Sequence, residues 1–309
     1  MKNVIITGAN GYIGHNLTNF LLQHGITVYA TDLPCSTNHL PQHRNLNVIL
    51  TQYDDFSSVI NTINGAEIDV MYHLAWHGVG TDQKNNFKRQ EPNIALVLRG
   101  VDLAAEVHCK KFICPGSISE YAYSTLPVDG NGTPSPGDMY AACKTAAHFI
   151  SKLYAKQKSI GFIWLLIASI YGPGRNDNNI ITYTIEKLLA GETPSYTKLE
   201  QMWDYLYIDD LMRALYLVGE KGIVGNTYAI GSGTAKPLKE YIEAINTIIA
   251  ANVSLDIGAI PYKTSNIDNS IADITLLHKH TGFSVQTPFE IGIKKTIKYY
   301  KTGNNYHDA

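Results

Sequence analysis

The sequence predicts an α/β protein built on a doubly wound parallel sheet, with a smaller mixed C-terminal lobe. Two observations predict this fold. The apolar run Val4–Thr7 leads directly into three glycines, Gly8, Gly11 and Gly14, and an amphipathic segment follows them. Short apolar runs then alternate with helical patterns through the first half of the 309 residues. Such a βαβ rhythm gives parallel strands joined by right-handed crossovers.

The glycine turn is the first candidate site. Glycine lacks the Cβ that would block approach, so the turn lets backbone N–H groups and a helix N-terminus face a pyrophosphate. A glycine triplet alone is weak evidence, but here it lies between a predicted strand and a predicted helix, as in Rossmann-type dinucleotide-binding domains.

Asp32 bears on the choice of dinucleotide. It ends the next predicted strand, where a carboxylate accepts hydrogen bonds from adenosine ribose hydroxyls and repels a 2′-phosphate. No arginine follows it; the next residues are Leu33, Pro34 and Cys35. We therefore predict NAD(H), with NADP(H) as the alternative.

The remaining elements follow in chain order. The predicted strands are Asn3–Thr7, Thr27–Thr31, Asn47–Thr51, Val70–Leu74, Lys111–Pro115 and Phe162–Ala168. The predicted helices between them are 13–24, 56–63, 93–108 and 140–157.

The rhythm breaks after Tyr171. A loop over 172–179, a helix near 180–190 and a polar stretch over 191–203 come next. Residues 204–219 predict a strand running into a helix, 227–230 a last strand, and 236–251 and 289–301 two further helices. We predict a dinucleotide-binding domain over 1–171, to which 204–232 returns, and a substrate lobe built from 172–203 and 233–309.

Composition excludes several classes of protein. A net charge of −2 gives no basic field for nucleic acid. The longest apolar run, Ile160–Ile170, is too short to span a membrane, and the chain enters a strand at once without a signal peptide. The four cysteines form no Cys-x-x-Cys pair, and the eleven histidines lack metal-ligand spacing. We expect a cytoplasmic protein with reduced cysteines and no metal.

Tyr140 and Lys144 form the second signal. Residues four apart share one face of a helix, and a nearby ammonium favours tyrosinate, which would lower the phenol pKa and make Tyr140 a usable acid or base. The pattern is common by itself. It becomes specific when joined to the glycine turn and to Ser117, which follows a predicted strand.

Together these motifs resemble the extended branch of the short-chain dehydrogenase/reductase superfamily, the NAD-dependent nucleotide-sugar epimerases, dehydratases and reductases. The resemblance covers nearly the whole chain. It rests on 7–14, Asp32, His73–Ala75, Asn93, Ser117–Tyr121, Tyr140 with Lys144, Tyr171–Pro173, Asp204–Asp210, Ala272–Asp273 and Gly282–Phe283.

The resemblance implies catalytic roles for three residues. Tyr140 would exchange a proton with a sugar hydroxyl or ketone oxygen, and Ser117 would hydrogen-bond the same oxygen; a simple strand-end cap is the alternative for Ser117. Lys144 would hold the nicotinamide ribose and tune Tyr140. Hydride would pass between the sugar carbon and the nicotinamide.

It also implies binding residues. Cofactor contacts are expected from the glycine turn, Tyr140 and Lys144, and also from Tyr12, Ile13, Asp32, Asp54, Leu74 and Ala75. Asp54 resembles the residue that meets adenine, with a solvated loop carboxylate as the alternative. Substrate contacts are expected from Ser117, Ser119, Arg175 and Lys263.

Three positions depart from the family. Trp203 and Leu166 stand where arginines are common, and Lys263 stands where arginine is usual. Two cations are thus lost, and the third lacks a bidentate fork. Arg175 and Lys263 become the candidates for the diphosphate, with ordinary surface cations as the alternative.

The family's chemistries are not equally favoured. The 4,6-dehydratases carry Thr-Asp-Glu where this chain has Ser117, Ile118 and Ser119, and the latter two can serve as neither acid nor base. Motifs at 116–121, 203–207 and 258–262 look like C4 ketoreductases of bacterial deoxysugar and surface polysaccharide pathways. We favour NAD(P)H-dependent reduction of an NDP-4-keto-6-deoxyhexose. A 4-epimerase, which Asp32 favours, and a non-enzymatic NAD(P)-binding regulator are the alternatives.

The resemblance further implies a homodimer formed through helices 93–108 and 140–157. Ala146, Ala147, Ile150, Leu153 and Tyr154 offer a packing side, although they could equally pack inward. Asn93 resembles the residue that positions the active-site tyrosine through hydrogen bonds.

Overall fold

A computed structural model describes residues 1–34, 39–53, 55–80, 82–175, 177–250, 252–262 and 269–302. Cys35, Asp54 and Lys263 lie outside the described residues, so the interpretations made for them stay predictions.

Thirteen strands and ten helices are formed by the described residues. The strands are β1 Asn3–Thr7, β2 Thr27–Asp32, β3 Leu46–Leu50, β4 Val70–His73, β5 Lys111–Ser117, β6 Gly161–Ile167, β7 Ser169–Tyr171, β8 Ser195–Tyr196, β9 Met202–Trp203, β10 Tyr205–Tyr207, β11 Thr227–Ile230, β12 Lys236–Pro237 and β13 Asp256–Ile257. The helices are α1 Tyr12–Gln23, α2 Ser57–Ile63, α3 Phe87–Gln90, α4 Pro92–Glu106, α5 Met139–Gln157, α6 Ile180–Leu189, α7 Ile208–Lys221, α8 Leu238–Ile249, α9 Thr275–Thr281 and α10 Phe289–Lys301.

Seven strands form the main sheet, in the order β11-β6-β5-β4-β1-β2-β3, and every pair is parallel. The strand order reverses at β1: β2 lies on one side of it and β4 on the other. Ligands of doubly wound sheets bind beyond the carboxyl ends of the strands at such a reversal. Here Thr7 ends β1 between Thr31 and His73. The predicted fold class is confirmed.

The sheet separates two apolar cores. Alternate residues of each strand point to opposite faces, so Val4 and Ile6 enter one core and Ile5 enters the other. Helices α1 and α7 pack together on the first face, and α4 and α5 pack together on the second. The strands of the middle, β4 to β6, are buried on both faces, which explains their continuous apolar sequence.

The segment 204–232 contributes to the main sheet and its first face, because β11 pairs with β6 and α7 packs on α1. Helices α6, α8 and α10 pack on one another, whereas α9 packs on α7 and β11. The division of the chain into two lobes stays a prediction.

Short elements account for the differences from the predicted secondary structure. Helices α3 and α9 have four and seven residues, too few to show a helical period. β5 continues to Ser117 and then tightens into a 3₁₀ turn, Ile118–Tyr121. The stretch predicted only as polar, 191–203, carries β8 and β9.

Candidate active site

The glycine turn between β1 and α1 is dictated by close packing of the backbone. Gly8 has a φ of +69°, and a Cβ there would lie 2.8 Å from the Ala75 nitrogen. A Cβ on Gly14 would lie 2.2 Å from the Gly8 carbonyl oxygen. Gly11 is different, since its φ is −68° and its Cβ would meet only Gly8 O, at 3.2 Å. The fold therefore requires glycine at 8 and 14, while Gly11 leaves open space for a ligand.

The N-terminus of α1 lies beside this turn. Among the described residues no side chain caps the helix, so the N–H groups of Tyr12 and Ile13 in its first turn remain available to an anion. The Gly8 N–H, in contrast, donates to the Tyr53 hydroxyl at 2.9 Å. Tyr53, which follows β3, thus helps to fix the conformation of the turn.

A cavity of about 450 Å³ opens over the turn. Its lining includes Gly8, Gly11, Asp32, Leu74, Ala75 and Trp76. Asp32 Oδ2 accepts the Asn10 N–H, and Oδ1 accepts the Leu33 N–H, both at 2.8 Å. The carboxylate is thereby oriented by the turn itself. Five of the predicted cofactor residues line this cavity, namely Gly8, Gly11, Asp32, Leu74 and Ala75. Gly14 does not line it but allows the close packing of the turn.

These residues fit a dinucleotide. The Gly11 cradle would be filled by a Cβ, the helix N-terminus supplies donors for a pyrophosphate, and the fixed carboxylate of Asp32 supplies acceptors for ribose hydroxyls. The site thus offers N–H donors to a phosphate anion and, next to them, carboxylate acceptors to the two hydroxyls of a ribose.

Ser117 lies at the carboxyl end of β5. Its hydroxyl accepts the Ser119 N–H at 3.2 Å and shares a 2.6 Å hydrogen bond with Ser119 Oγ. Its own N–H donates to Glu120 Oε1 at 3.0 Å, which completes a capping box. Ser117 is therefore a cap as well as a candidate catalytic residue.

Tyr140 and Lys144 lie in the first two turns of α5. Asp138 caps the helix by accepting the Ala141 N–H at 2.7 Å. The Lys144 ammonium donates to the carbonyl of Pro115, in β5, at 2.7 Å, and lies 5.8 Å from the centre of the Tyr140 ring. The Tyr140 hydroxyl also forms a hydrogen bond with the Ser117 side chain. The structure thus brings the three predicted catalytic residues together.

The protonation states differ from the sequence-based prediction. Burial, followed by the charge of Glu120, raises the pKa of Tyr140 well above its usual value. Burial lowers the pKa of Lys144 to about 8. The predicted lowering of the phenol pKa is wrong for the protein without ligands, because burial and the charge of Glu120 both disfavour the tyrosinate. At neutral pH the pair consists of a neutral phenol and a charged ammonium.

Three further residues contact this group and were not predicted. Trp76 lies over the Lys144 ammonium, with 3.6 Å between Nζ and the ring centre. The Lys84 ammonium lies 5.1 Å from the centre of the Tyr140 ring. Glu120 is fully buried and accepts both the Ser117 N–H and the Trp164 indole N–H. Two of them had a signal in the sequence: Trp76 directly follows the His73–Ala75 motif, and Glu120 lies within the Ser117–Tyr121 motif.

Asn93 braces the β4 end of the site. Its amide accepts the His77 N–H at 2.7 Å and donates to the His77 carbonyl at 3.1 Å. The described contacts of Asn93 thus position the loop that carries Trp76 and His77, and not Tyr140 directly.

Arg175, the predicted substrate cation among the described residues, lies in an ion pair, and the departures from the family at Trp203 and Leu166 have other partners. Arg175 forms a bidentate ion pair with Asp177, with both N–O distances 2.6 Å, and also donates to the Ile170 carbonyl. Trp203 donates its indole N–H to Ser169 Oγ at 2.8 Å. Leu166 is fully buried in β6 and is part of the core.

The described residues contain no cluster of three or more metal-ligating side chains. In the same parts of the chain, no helix has the length and apolarity needed to cross a bilayer. Cys109, Cys114 and Cys143 are buried free thiols.

Comparison with known families now bears on this arrangement. The model of the NAD dependent epimerase/dehydratase family matches residues 4–231. The chain belongs to this family. The predicted family and its NAD dependence are confirmed, and the matched range contains the turn, Asp32 and the Ser117–Tyr140–Lys144 group.

Among similar proteins are two CDP-abequose synthases. That of Salmonella muenchen is 25% identical, over 96% of this chain and 97% of its own length. That of Salmonella typhimurium is 26% identical, with the same coverage of 96% and 97%.

Solved structures are also similar. A UDP-glucose 4-epimerase from Thermotoga maritima, solved with UDP-glucose, superimposes with a TM-score of 0.85 at 22% identity over 97% of this chain and 99% of that one. A UDP-glucuronic acid 4-epimerase from Bacillus cereus, solved with UDP-glucuronic acid and NAD, gives a TM-score of 0.85 at 21% identity, with coverage of 97% and 99%. These likenesses show that the fold is shared along nearly the whole chain.

Proposed function

We propose that the protein reduces the C4 ketone of a nucleotide-linked 4-keto-6-deoxyhexose, with NADH favoured over NADPH as the reductant. Such a reaction would serve bacterial deoxysugar or surface polysaccharide synthesis. The observation that carries the proposal is the position of Tyr140 and Lys144 at the carboxyl end of β5, where Ser117 lies, beside a cavity that fits a dinucleotide. The similarity to CDP-abequose synthases over almost the full length of both chains supports it.

The reaction requires a hydride at C4 and a proton at the ketone oxygen. The bound cofactor supplies the hydride. Tyr140 donates the proton, because its raised pKa keeps the phenol protonated until negative charge develops on the sugar oxygen. Ser117 hydrogen-bonds the same oxygen and orients it. The Lys144 ammonium then stabilises the tyrosinate that Tyr140 becomes when it gives up its proton.

The dehydratase reaction receives no support from this arrangement. Elimination of water needs an acid and a base in addition to Tyr140. Ile118 is buried and apolar, and Ser119 is hydrogen-bonded to Ser117. The buried carboxylate of Glu120 turns back to the Ser117 N–H and the Trp164 indole. Both bonds are made by Oε1, which holds the turn.

A 4-epimerase is the second candidate, favoured by the NAD-type carboxylate Asp32. An epimerase begins by oxidising the sugar, and that step needs Tyr140 as a base. Its second step, reduction of the keto intermediate, needs Tyr140 as an acid, so the Ser117–Tyr140–Lys144 group serves both reactions. The similarity to CDP-abequose synthases over almost the full chain is what favours the reductase. The non-enzymatic alternative, an NAD(P)-binding regulator, would not need Ser117, Tyr140 and Lys144 in one group.

We also propose a homodimer formed through α4 and α5. Phe149, Ile150 and Leu153 lie on one side of α5 with 51%, 45% and 66% of their surfaces exposed. Large exposed apolar residues on adjacent turns of a helix are typical of an interface. Ala147, in contrast, is buried within the chain.

The test is a mass-spectrometric assay of the purified protein. A panel of NDP-hexoses and NDP-4-keto-6-deoxyhexoses is incubated with NADH, with NADPH and without reductant. The proposal expects a product that has gained two hydrogens and forms only with added reductant. An isobaric product formed without reductant would establish the epimerase, and Tyr140→Phe serves as the control for chemistry.

A further inference from the structure

Trp76 joins the cofactor cavity to the catalytic pair. It lines the cavity two residues after Leu74, and its ring covers the Lys144 ammonium at 3.6 Å. Its indole also meets the Tyr140 ring edge-on, with 5.9 Å between the ring centres and 81° between the planes. A single side chain therefore contacts both members of the pair.

The indole is held from behind by a buried amide. Trp76 Nε1 donates to Gln90 Oε1 at 3.1 Å, and Gln90 is fully buried. The Gln90 amide donates in turn to the Gly78 carbonyl at 2.6 Å and the Gln83 carbonyl at 3.2 Å. These bonds fix the loop after β4 and leave the ring little rotational freedom.

We propose that Trp76 is a positioning residue for the pair Tyr140 and Lys144. The face of its indole ring holds the Lys144 ammonium charged and in place beside Tyr140. The inference rests on the proposed function, because it assigns Trp76 to the same site. Its role is distinct from binding the substrate: it acts through Lys144.

The electrostatic surroundings explain why Lys144 needs such a contact. Lys144 is only 4% exposed, and burial disfavours its charged form. The titratable groups facing it are His73 from β4, Cys114 from β5, Glu120 from the 3₁₀ turn and Tyr140 from α5.

These neighbours offer little compensation for the lost water. Burial holds the pKa of His73 down to about 3 and raises that of Cys114 to about 12, so both are neutral near pH 7. Glu120 favours the charged form of Lys144, but by less than burial disfavours it. The electron-rich face of an indole attracts a desolvated ammonium and so offsets part of the cost of burial.

The titration of Lys144 measures this contact directly. Lysine labelled with ¹³C at Cε is incorporated, and the Lys144 signal is assigned by its loss in Lys144→Met. We expect Trp76→Leu to lower the Lys144 pKa by about one unit, and Trp76→Phe to lower it less, since benzene is a weaker cation receptor than indole. Trp203→Leu, which alters a partly buried tryptophan bonded to Ser169, is the matched control and should leave the signal unchanged.

An unchanged Lys144 titration in folded Trp76→Leu would overturn the proposal. If that variant does not fold, biosynthetic replacement of tryptophan by fluorotryptophans keeps the shape of the ring while weakening its negative face. The Lys144 pKa should then fall as fluorines are added, and a constant value would equally contradict the proposal. Neither measurement uses a sugar nucleotide or the cofactor, so failure of the proposed reaction and failure of this inference are separate results.

Discussion

The cofactor half and the catalytic half of the site are built in different ways. At the end of β1 the backbone packs so closely that a Cβ on Gly8 would lie 2.8 Å from Ala75 N and a Cβ on Gly14 would lie 2.2 Å from Gly8 O. At the end of β5 the geometry depends on side chains from several elements. The Lys144 ammonium is held by Pro115 O and by the Trp76 ring, and the Ser117 N–H is held by Glu120.

This difference decides which half of the site can be predicted from local sequence. A backbone that packs against backbone admits one residue type, so the requirement is visible locally as a glycine. A side chain that is held by another side chain can be held by several residue types, and its partner can lie far away in the sequence.

Replacing glycines separates the two requirements within the cofactor half. Gly14→Ala places a Cβ 2.2 Å from a backbone oxygen, and we expect a loss of about 3 kcal/mol in the free energy of unfolding. Gly11→Ala meets one atom at 3.2 Å and should cost less than about 1 kcal/mol while weakening NADH binding more than tenfold. Urea denaturation and NADH titration measure the two effects, and equal stability losses would contradict the account.

Lys144→Met tests whether the buried charge of Lys144 lowers the stability of the fold. The pKa of Lys144 is about 8 in the folded protein against an ordinary value of 10.5, so the unfolded chain binds more protons between these pH values. The stability of the native protein therefore rises with pH across that window, and below pH 8 the buried charge carries its full cost. We expect Lys144→Met to stabilise the fold near pH 7 by at most about 3 kcal/mol, less the loss at Pro115 O.

This gain should shrink as the pH rises from 8 towards 10.5, since the native lysine is then neutral in the folded state. Denaturation curves recorded at pH 7 and at pH 10 measure the change. A destabilised Lys144→Met at pH 7 would mean that the ammonium contributes to stability despite its burial.

The secondary structure was predictable where local pattern decides it. Strands β1 and β11 have the predicted bounds, because a buried parallel strand is a continuous apolar run between polar residues. Helix α3 was missed, since its four residues show no period.

The candidate site divides in the same way. Ser117, Tyr140 and Lys144 were found through their spacing and resemblance. Trp76 and Glu120 were not, because their roles depend on Lys144, 68 positions from Trp76, and on Trp164, 44 positions from Glu120. Local sequence does not encode such partners.

Glu120→Gln alters the charge below the catalytic group and keeps its shape. Glu120 raises the pKa of Lys144 as well as that of Tyr140, and Lys144, with a pKa of about 8, loses its proton first as the pH rises. Neutralising Glu120 should therefore move the alkaline limb of kcat/KM down by about one unit. Asp138→Asn is the matched control: Asp138 raises the pKa of Tyr140 less than Glu120 does, and asparagine still caps α5. A larger shift in the control than in Glu120→Gln would assign the effect to the helix N-terminus.

Arg175 distinguishes a substrate contact from a structural ion pair. Arg175→Lys and Asp177→Asn both break the bidentate pair, so each should lower stability by about 1 kcal/mol. If Arg175 also binds the diphosphate, Arg175→Lys alone raises KM for the nucleotide sugar severalfold. Steady-state kinetics of the two variants decide between these roles; equal KM values would leave Arg175 as a structural residue of the loop.

The most direct test of the central claim is the fate of the hydride. The protein is given an NDP-4-keto-6-deoxyhexose and NADH that carries deuterium at nicotinamide C4, and the product is analysed by NMR and mass spectrometry. Reduction through Tyr140 predicts deuterium bonded to sugar C4 and a solvent hydrogen on its oxygen, with one NAD⁺ formed per product. A 4-epimerised NDP-sugar formed from an NDP-hexose without added NADH, together with no deuterium at C4 of any keto-sugar product, would contradict it.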